Sequence, residues 1–410
     1  MAHLELKDAL AACRRGSAIH AINIWWTAHA TTVLRLACVA MALLAALKLE
    51  DEFRRLLLDP GHNGAVDTRI LSQLVHEWFE GRPLYQERDT AVYPPATYVL
   101  LWPFLGWLDL APARWLWAVT SIAALGWLVY LTVRESCADT RLQSAFLALM
   151  ALSMNATGVA IGNGQLALHI LPSLLCALLL LHQNRGQWHI RLLAVGMLLF
   201  ALVKPTITAP FMWMALFAGG GLLTTALITL GYAGLTLFAV SFQESTLTVL
   251  ARGWIEAATA VAAEGGYANL HMWLACLDLQ EWILGVSLLV FAALGFWTYQ
   301  HRKGDFWILL GVTALVARMW TYHRVYDDVL VLLPMVALFR IAKREAASER
   351  TSMAAGLLLA ATILSVLAPA RWEHFPWPWS FAFTGGHTLV WIAVLGFLLD
   401  RARRDQKAEA

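Results

Sequence analysis

The chain has 410 residues, 59% of them hydrophobic and 14% charged, and a formal net charge of +2. That composition excludes a soluble globular protein, and the small charge, with no basic tract studded with aromatics, excludes a nucleic-acid binder. Apolar runs long enough to cross a bilayer recur from end to end. The sequence therefore predicts an all-α, polytopic membrane protein, helical because backbone groups in lipid must be satisfied within their own segment.

In chain order, residues 1–29 carry Lys7, Arg14 and Arg15 but no apolar core with a small-residue cleavage site. They read as a cytoplasmic surface segment and not as a signal peptide. Spans are expected at 30–49, 113–133, 144–161, 164–182, 190–203, 206–219, 221–241, 281–299, 306–320, 326–342, 353–370 and 385–400, about twelve crossings (11–13). Residues 94–109 are apolar too, but they open with Pro94-Pro95 and are interrupted by Pro103, which predicts a short or re-entrant segment. The pieces 190–203 and 206–219 are short for spans and are divided by Lys204-Pro205. No linker or composition shift marks a soluble unit, so 1–410 is read as one transmembrane domain.

Charge sets the orientation. Arg134/Arg141, Arg185/Arg191, Arg302/Lys303, Arg340/Lys343/Arg344/Arg350 and the tail 401–410, with Arg401/Arg403/Arg404, all belong inside by the positive-inside rule, as do both termini. The outer side then receives the loop 50–93, the turn Gly162-Asn163-Gly164-Gln165, the Lys204-Pro205 break and the loop 242–280. Tyr322 to Asp328 and Arg371 to His374 fall there too. The five cysteines show no metal-type spacing. Only Cys276 is outward, so no outer disulfide is expected within the chain.

Within the first outer loop, Val66, Ile70, Leu71, Leu74, Val75, Trp78 and Phe79 have helical spacing and predict an amphipathic helix over 66–79 lying on the membrane surface. Asp67 falls on its dry stripe in the first turn. It reads either as a helix cap favoured by the dipole or as a catalytic base, and both readings stand at this point. If 322–328 opens the next helix, His323 and Asp327 share one stripe and Arg324 and Asp328 the next. Adjacent aspartates point about 100° apart, so Asp327 and Asp328 are not expected to share one ion. Charges at such a helix end pair among themselves in the plain reading, whereas an imidazole and a fixed cation at a cavity mouth suit a phosphate. Lys204 either snorkels to the interface or meets a phosphate. Asn163 and Gln165 lie in what is either a plain connector or a sugar-binding turn, with Gln165 and His169 expected on one helical face. Tyr93-Pro94-Pro95 stiffens the approach to the next apolar segment. Most of the twenty tryptophans are explained by interfacial belts.

Gly81, Leu84 and Tyr85, then Tyr93 to Pro95, Gly162 to Gln165, Lys204-Pro205 and Tyr322 to Asp328 together resemble one family of multi-span glycosyltransferases. That family is the polyprenol-phosphate-mannose-dependent mannosyltransferases, and the resemblance covers about residues 30–345. It implies a GT-C-type fold and metal-independent, inverting transfer on the extracytoplasmic side of a bacterial inner or plasma membrane. The substrates implied are a polyprenyl-phosphate sugar donor and a lipid or glycan acceptor, with no cofactor. Carried over by position, Asp67 is the base. His323, Arg324 and Lys204 bind the donor phosphate, and Asn163, Gln165, Tyr93, Tyr322 and Asp327 line the substrate site. A transporter or lipid flippase is the rival reading and a non-catalytic scaffold a third. The sequence lacks the internal repeat that transport folds carry.

Overall fold

The computed structural model describes residues 2–61, 63–184, 186–263, 267–344 and 348–409, with side chains from Ala28 onward except at 262, 263, 370, 408 and 409. Lys7, Arg14, Arg15 and Arg185 thus lie outside the described side chains. Every regular element among the described residues is a helix. Six helices are long and apolar enough to cross a membrane: Ala28–Leu58, Leu110–Glu135, Gly221–Val240, Gln280–Gln300, Glu349–Leu367 and Trp379–Lys407. A seventh passage is the pair Arg141–Ser153 and Asn155–Asn163, bent by 47°.

The other five passages expected from hydropathy are shorter or broken. They are Ala167–Gln183, Trp188–Ala201, Phe306–Met319, the 3-10 turn Val325–Val331 running into Leu332–Lys343, and the stretch 205–219. This last passage is a succession of short α, 3-10 and π turns. Contacts at the turns sort all of them between two ends of one bundle. At the first end Arg340 meets Glu135 O and Cys137, Lys343 donates to Gln143 Oε1 at 2.9 Å, and Arg344 pairs with Asp305 and Asp405. At the second end Trp78 Nε1 donates to Ala239 O at 3.0 Å, Thr97 Oγ1 to Val203 O at 2.8 Å and Ser287 Oγ to Trp320 O at 3.3 Å. Residues 190–203 and 206–219 are therefore separate passages: Lys204 sits at the second end, while Gly219 packs on Leu181 and Ala218 O meets His182 at the first.

The helix Pro95–Leu105 behaves as a re-entrant segment. Its 11 residues span only about 17 Å against a ~30 Å hydrocarbon core. Both its flanks lie at the second end, since Thr97 bonds Val203 and Arg114, just beyond it, donates to Asp59 O at 2.7 Å. The expected loop 242–280 holds two helices, Leu247–Ala263 and Leu270–Cys276. Trp254 Nε1 of the first donates to Val92 O at 3.0 Å, so this segment lies over the first loop.

The surface helix forms over Val66–Phe79 as its apolar spacing requires, burying Leu71, Leu74, Val75 and Trp78. Its start is clamped to the turn at Gly164. Helix Asn155–Asn163 ends in a Schellman turn, with Gly164 N donating to Ile161 O (2.9 Å) and Gln165 N to Ala160 O (2.7 Å). Gly164 takes φ +71°, and a Cβ there would run into Thr68 Oγ1, which donates to Gly164 O at 3.2 Å. Ala65 N donates to Gly162 O at 3.1 Å.

One cation lies deep in this end. Arg318, at the close of the apolar helix Phe306–Met319, is 0% exposed and donates from Nε to Asp328 Oδ1 at 2.5 Å. Its Nη2 donates to Tyr267 O at 3.1 Å, and its guanidinium lies 4.9 Å from the Trp391 ring centroid. Asp328 is thus matched by Arg318 and not, as expected, by charges of its own segment. A buried carboxylate needs a cation on the adjacent helix, because its own segment directs Arg324 outward.

Two outcomes follow from these contacts. Gly164→Ala should destabilise the detergent-solubilised protein by about 1–3 kcal/mol, from αL strain and the Thr68 contact, read as a lower melting temperature by tryptophan fluorescence. Gly126→Ala, a helical site with open space around it, should cost nothing; equal losses in the two variants would contradict the clamp. Arg318→Met should destabilise by roughly 3–5 kcal/mol by stranding Asp328, and the pair Arg318→Met/Asp328→Leu should recover most of it. A double variant no more stable than the single one would show that the guanidinium contacts matter more than the charge pair.

Candidate active site

Lys204 stands where the passage Trp188–Ala201 ends and Pro205 opens the next turn. Proline at a first helical position needs no N–H partner, so the chain can break here without stranding a donor. The break frees Lys204 to reach sideways. Its Nζ donates to Asp327 Oδ1 at 2.7 Å and lies 5.0 Å from the Tyr326 ring centroid. Asp327 is 1% exposed, and its Oδ2 accepts from His323 Nδ1 at 3.0 Å and from Arg324 N at 3.2 Å. His323 is fully buried, and its carbonyl accepts from Tyr267 N (2.9 Å) and Asn269 Nδ2 (3.1 Å).

The expected His323–Asp327 contact forms, but on a different backbone. Residues 325–331 are a 3-10 turn with Arg324 at its N-cap, and Asp327 reaches back to that cap instead of sharing an α-helical stripe with His323. Asp327 and Asp328 do face apart, to Lys204 and to Arg318. Arg324 is exposed, and its guanidinium bonds the Tyr322 hydroxyl and lies 5.5 Å from that ring's centroid.

Asp67 is the second residue of the surface helix. The N-cap is Ala65, in the left-handed region at φ 49°, and no side chain caps the helix. Asp67 therefore does not cap the helix, although it keeps the first-turn position that the helix dipole favours. Asp67 Oδ2 is buried without a hydrogen-bond partner among the described residues, and so are Oε1 and Nε2 of Gln165, which is 1% exposed. Burial pushes the Asp67 carboxyl up to about 6. The Gln165 amide lying against it, the Lys204 ammonium and the Asn163 amide pull the other way, and Asp327 adds to the rise.

The structure thus brings Asp67, Asn163, Gln165, Lys204 and Asp327 to one place, with the rings of Tyr93 and Tyr326 within the field of both carboxylates. Tyr93 is held from behind, its carbonyl accepting from Tyr85 Oη at 2.7 Å. His169 does not join Gln165 on a helical face as expected. Gln165 belongs to the turn before the helix Ala167–Gln183, and His169 Nε2 bonds Thr120 Oγ1 at 3.0 Å beneath Trp117. Sequence reasoning passed over Tyr326 and Arg318; a lone arginine inside an otherwise apolar helix was the available signal for the second. Among the described residues no three His, Cys, Asp or Glu side chains gather as a metal site.

Chemically, the site offers a half-buried carboxylate with an open lone pair, an ammonium shared with a second carboxylate, and two amides able both to donate and to accept. Such a set can take a proton from a hydroxyl and hold an anionic group beside it. Residues 91–332 match the model of glycosyltransferase family 87, more than half of the chain. No curated protein and no solved structure matches. The matched stretch includes Tyr93, Asn163, Gln165, Lys204 and 322–328, while Asp67 and its helix precede it. On that match, and with helices long enough to span a bilayer, the chain belongs to glycosyltransferase family 87 and is a membrane glycosyltransferase.

Proposed function

We propose that the enzyme transfers a sugar, mannose by the family resemblance, from a polyprenyl-phosphate donor to a hydroxyl of a lipid or glycan acceptor on the extracytoplasmic side, with Asp67 as general base. The observation that carries this reading is the Asp67 carboxylate, uncapped and with one buried oxygen unpartnered, beside Gln165 and Lys204. The side is supported by the basic turns at 134–143, 302–303 and 340–344, which lie at the end of the bundle away from Asp67.

In this mechanism the acceptor hydroxyl gives its proton to Asp67, and its oxygen attacks the anomeric carbon from the face opposite the phosphate. The bond from that carbon to the phosphate oxygen breaks with its electron pair, so the polyprenyl phosphate leaves as an anion and the anomeric configuration inverts. Phosphate is already a competent leaving group, so the protein needs to supply a base and positive charge. Lys204 provides that charge. Asp327 and His323 hold it in position until the donor phosphate competes for it, and Arg324 at the exposed rim meets the donor. Asn163 and Gln165 serve sugar hydroxyls, and Tyr93 and Tyr322 line the approach.

Asp67→Asn should retain binding of a radiolabelled polyprenyl-phosphate sugar while its turnover falls about 10²–10⁴-fold; near-normal transfer would sink the assignment. Because Asp67 works ionised and its carboxyl is pushed up to about 6, the rate should fall as pH drops through about 6. Lys204→Gln removes a cation that holds Asp67 down, so that acid limb should move to higher pH in the residual activity. An unmoved or downward-shifted limb would show that the titrating base is not Asp67.

A further inference from the structure

The end of the bundle away from Asp67 carries a second polar concavity. It lies between the close of the helix Ile283–Gln300, the turn 301–305 and the tail of the helix Trp379–Glu409, and encloses about 310 Å³. The helix Ile283–Gln300 has 18 residues, so this place is about 27 Å from the outer end of the same helix. It therefore has no part in the chemistry around Asp67.

The charges around it do not balance. Asp305 is engaged by Arg344 and also caps the next helix, accepting from Trp307 N at 2.9 Å and Ile308 N at 3.0 Å. Asp405 is engaged by Arg401 at 2.7 Å and by Arg344 at 3.6 Å. These carboxylates have their cations, and Arg302 and Lys303 are left in excess on the lining. Arg302 is pre-positioned: its Nη1 donates to Tyr299 O at 2.6 Å and its guanidinium stacks 4.2 Å from the Tyr299 ring centroid.

A buried group points to a ligand as well. His301 also lines the cavity, is 7% exposed, and donates from Nδ1 to Trp297 O at 2.9 Å. Its Nε2 is buried with no hydrogen-bond partner among the described residues. An imidazole nitrogen withdrawn from water and left unbonded costs free energy that a ligand would recover. With Nδ1 donating, Nε2 is an acceptor open to a phosphate or headgroup hydroxyl, next to a guanidinium and an ammonium, and Ile308, Leu309 and Ala402 supply an apolar wall.

We propose that this cavity is a phosphate-binding site, with Arg302 and Lys303 as its donors and His301 Nε2 as the acceptor for a hydroxyl of the phosphate or its headgroup. Basic pockets between membrane helices on the side of the positive loops take phosphate headgroups, and the apolar wall suits an acyl-glycerol stem. The shared chemistry is a phosphate anion, supplied either by an anionic lipid headgroup or by free phosphate.

The test reconstitutes the full chain in vesicles of phosphatidylcholine alone, and of phosphatidylcholine with phosphatidylglycerol, and reads the melting temperature by tryptophan fluorescence. Phosphatidylglycerol should raise it by roughly 2–4 °C, and Lys303→Gln and His301→Gln should each reduce that rise. Arg403→Gln, which removes an exposed cation from the neighbouring surface outside the cavity, should keep it. A rise produced instead by millimolar inorganic phosphate in phosphatidylcholine vesicles, and lost in the same two variants, also supports the site and assigns the ligand to solution. No rise with either probe overturns the proposal. So does a rise that Arg403→Gln diminishes as much as Lys303→Gln, because that is general surface charge.

Discussion

A carboxylate enclosed in an apolar bundle must be matched from more than one direction, and Asp327 is the group on which this end of the protein depends. One oxygen takes Lys204 and the other takes His323 and the amide of Arg324. These partners come from two passages that both break where they meet, at Lys204-Pro205 and at the 3-10 turn 325–331. A continuous α-helix through either place would hold these side chains to its own stripes, whereas the broken backbone lets Lys204 and Asp327 meet. Arg318 and Asp328 repeat the arrangement one step deeper, so adjacent aspartates serve two different joints.

The surface helix is organised the other way. Its carboxylate, on Asp67, lies against the amides of Gln165 and Asn163. The clamp of Ala65, Thr68 and Gly164 fixes its first turn against the Asn163–Gln165 turn, and fixing the backbone fixes where Asp67 points. Because Ala65 and not Asp67 ends the helix, the carboxylate is left to the Gln165 and Asn163 amides, and burial lifts its affinity for a proton. Asp327 is locked by direct contact with Lys204 and His323, whereas Asp67 lies against amides; the two differ only in what surrounds them.

At the opposite end, Arg340, Lys343 and Arg344 tie helix ends together through carbonyls and carboxylates. Ionic links of this kind cost little where water reaches the groups, which is why the sequence can concentrate positive charge there. The two ends thus use charge differently, for binding across a hydrated rim in one and for assembling a dehydrated site in the other.

Much of this was readable from the residues alone. Apolar runs determined the helical membrane class, and the positions of Lys and Arg sorted the turns between two ends, since both depend on composition over windows of residues. The surface helix was readable to its end residues, because a spacing of three and four is a property of the local chain. Pro94, Pro95 and Pro103 marked the re-entrant segment for the same local reason. What the sequence could not decide was partnership. Whether Asp67 caps its helix depended on Ala65 adopting a left-handed backbone, which only the docking on Gly162 and Gly164 imposes. That Asp328 belongs to Arg318, that Lys204 belongs to Asp327, and that His169 reaches Thr120 are pairings across different passages. Such pairings are set by which helices pack together, and no local spacing encodes them.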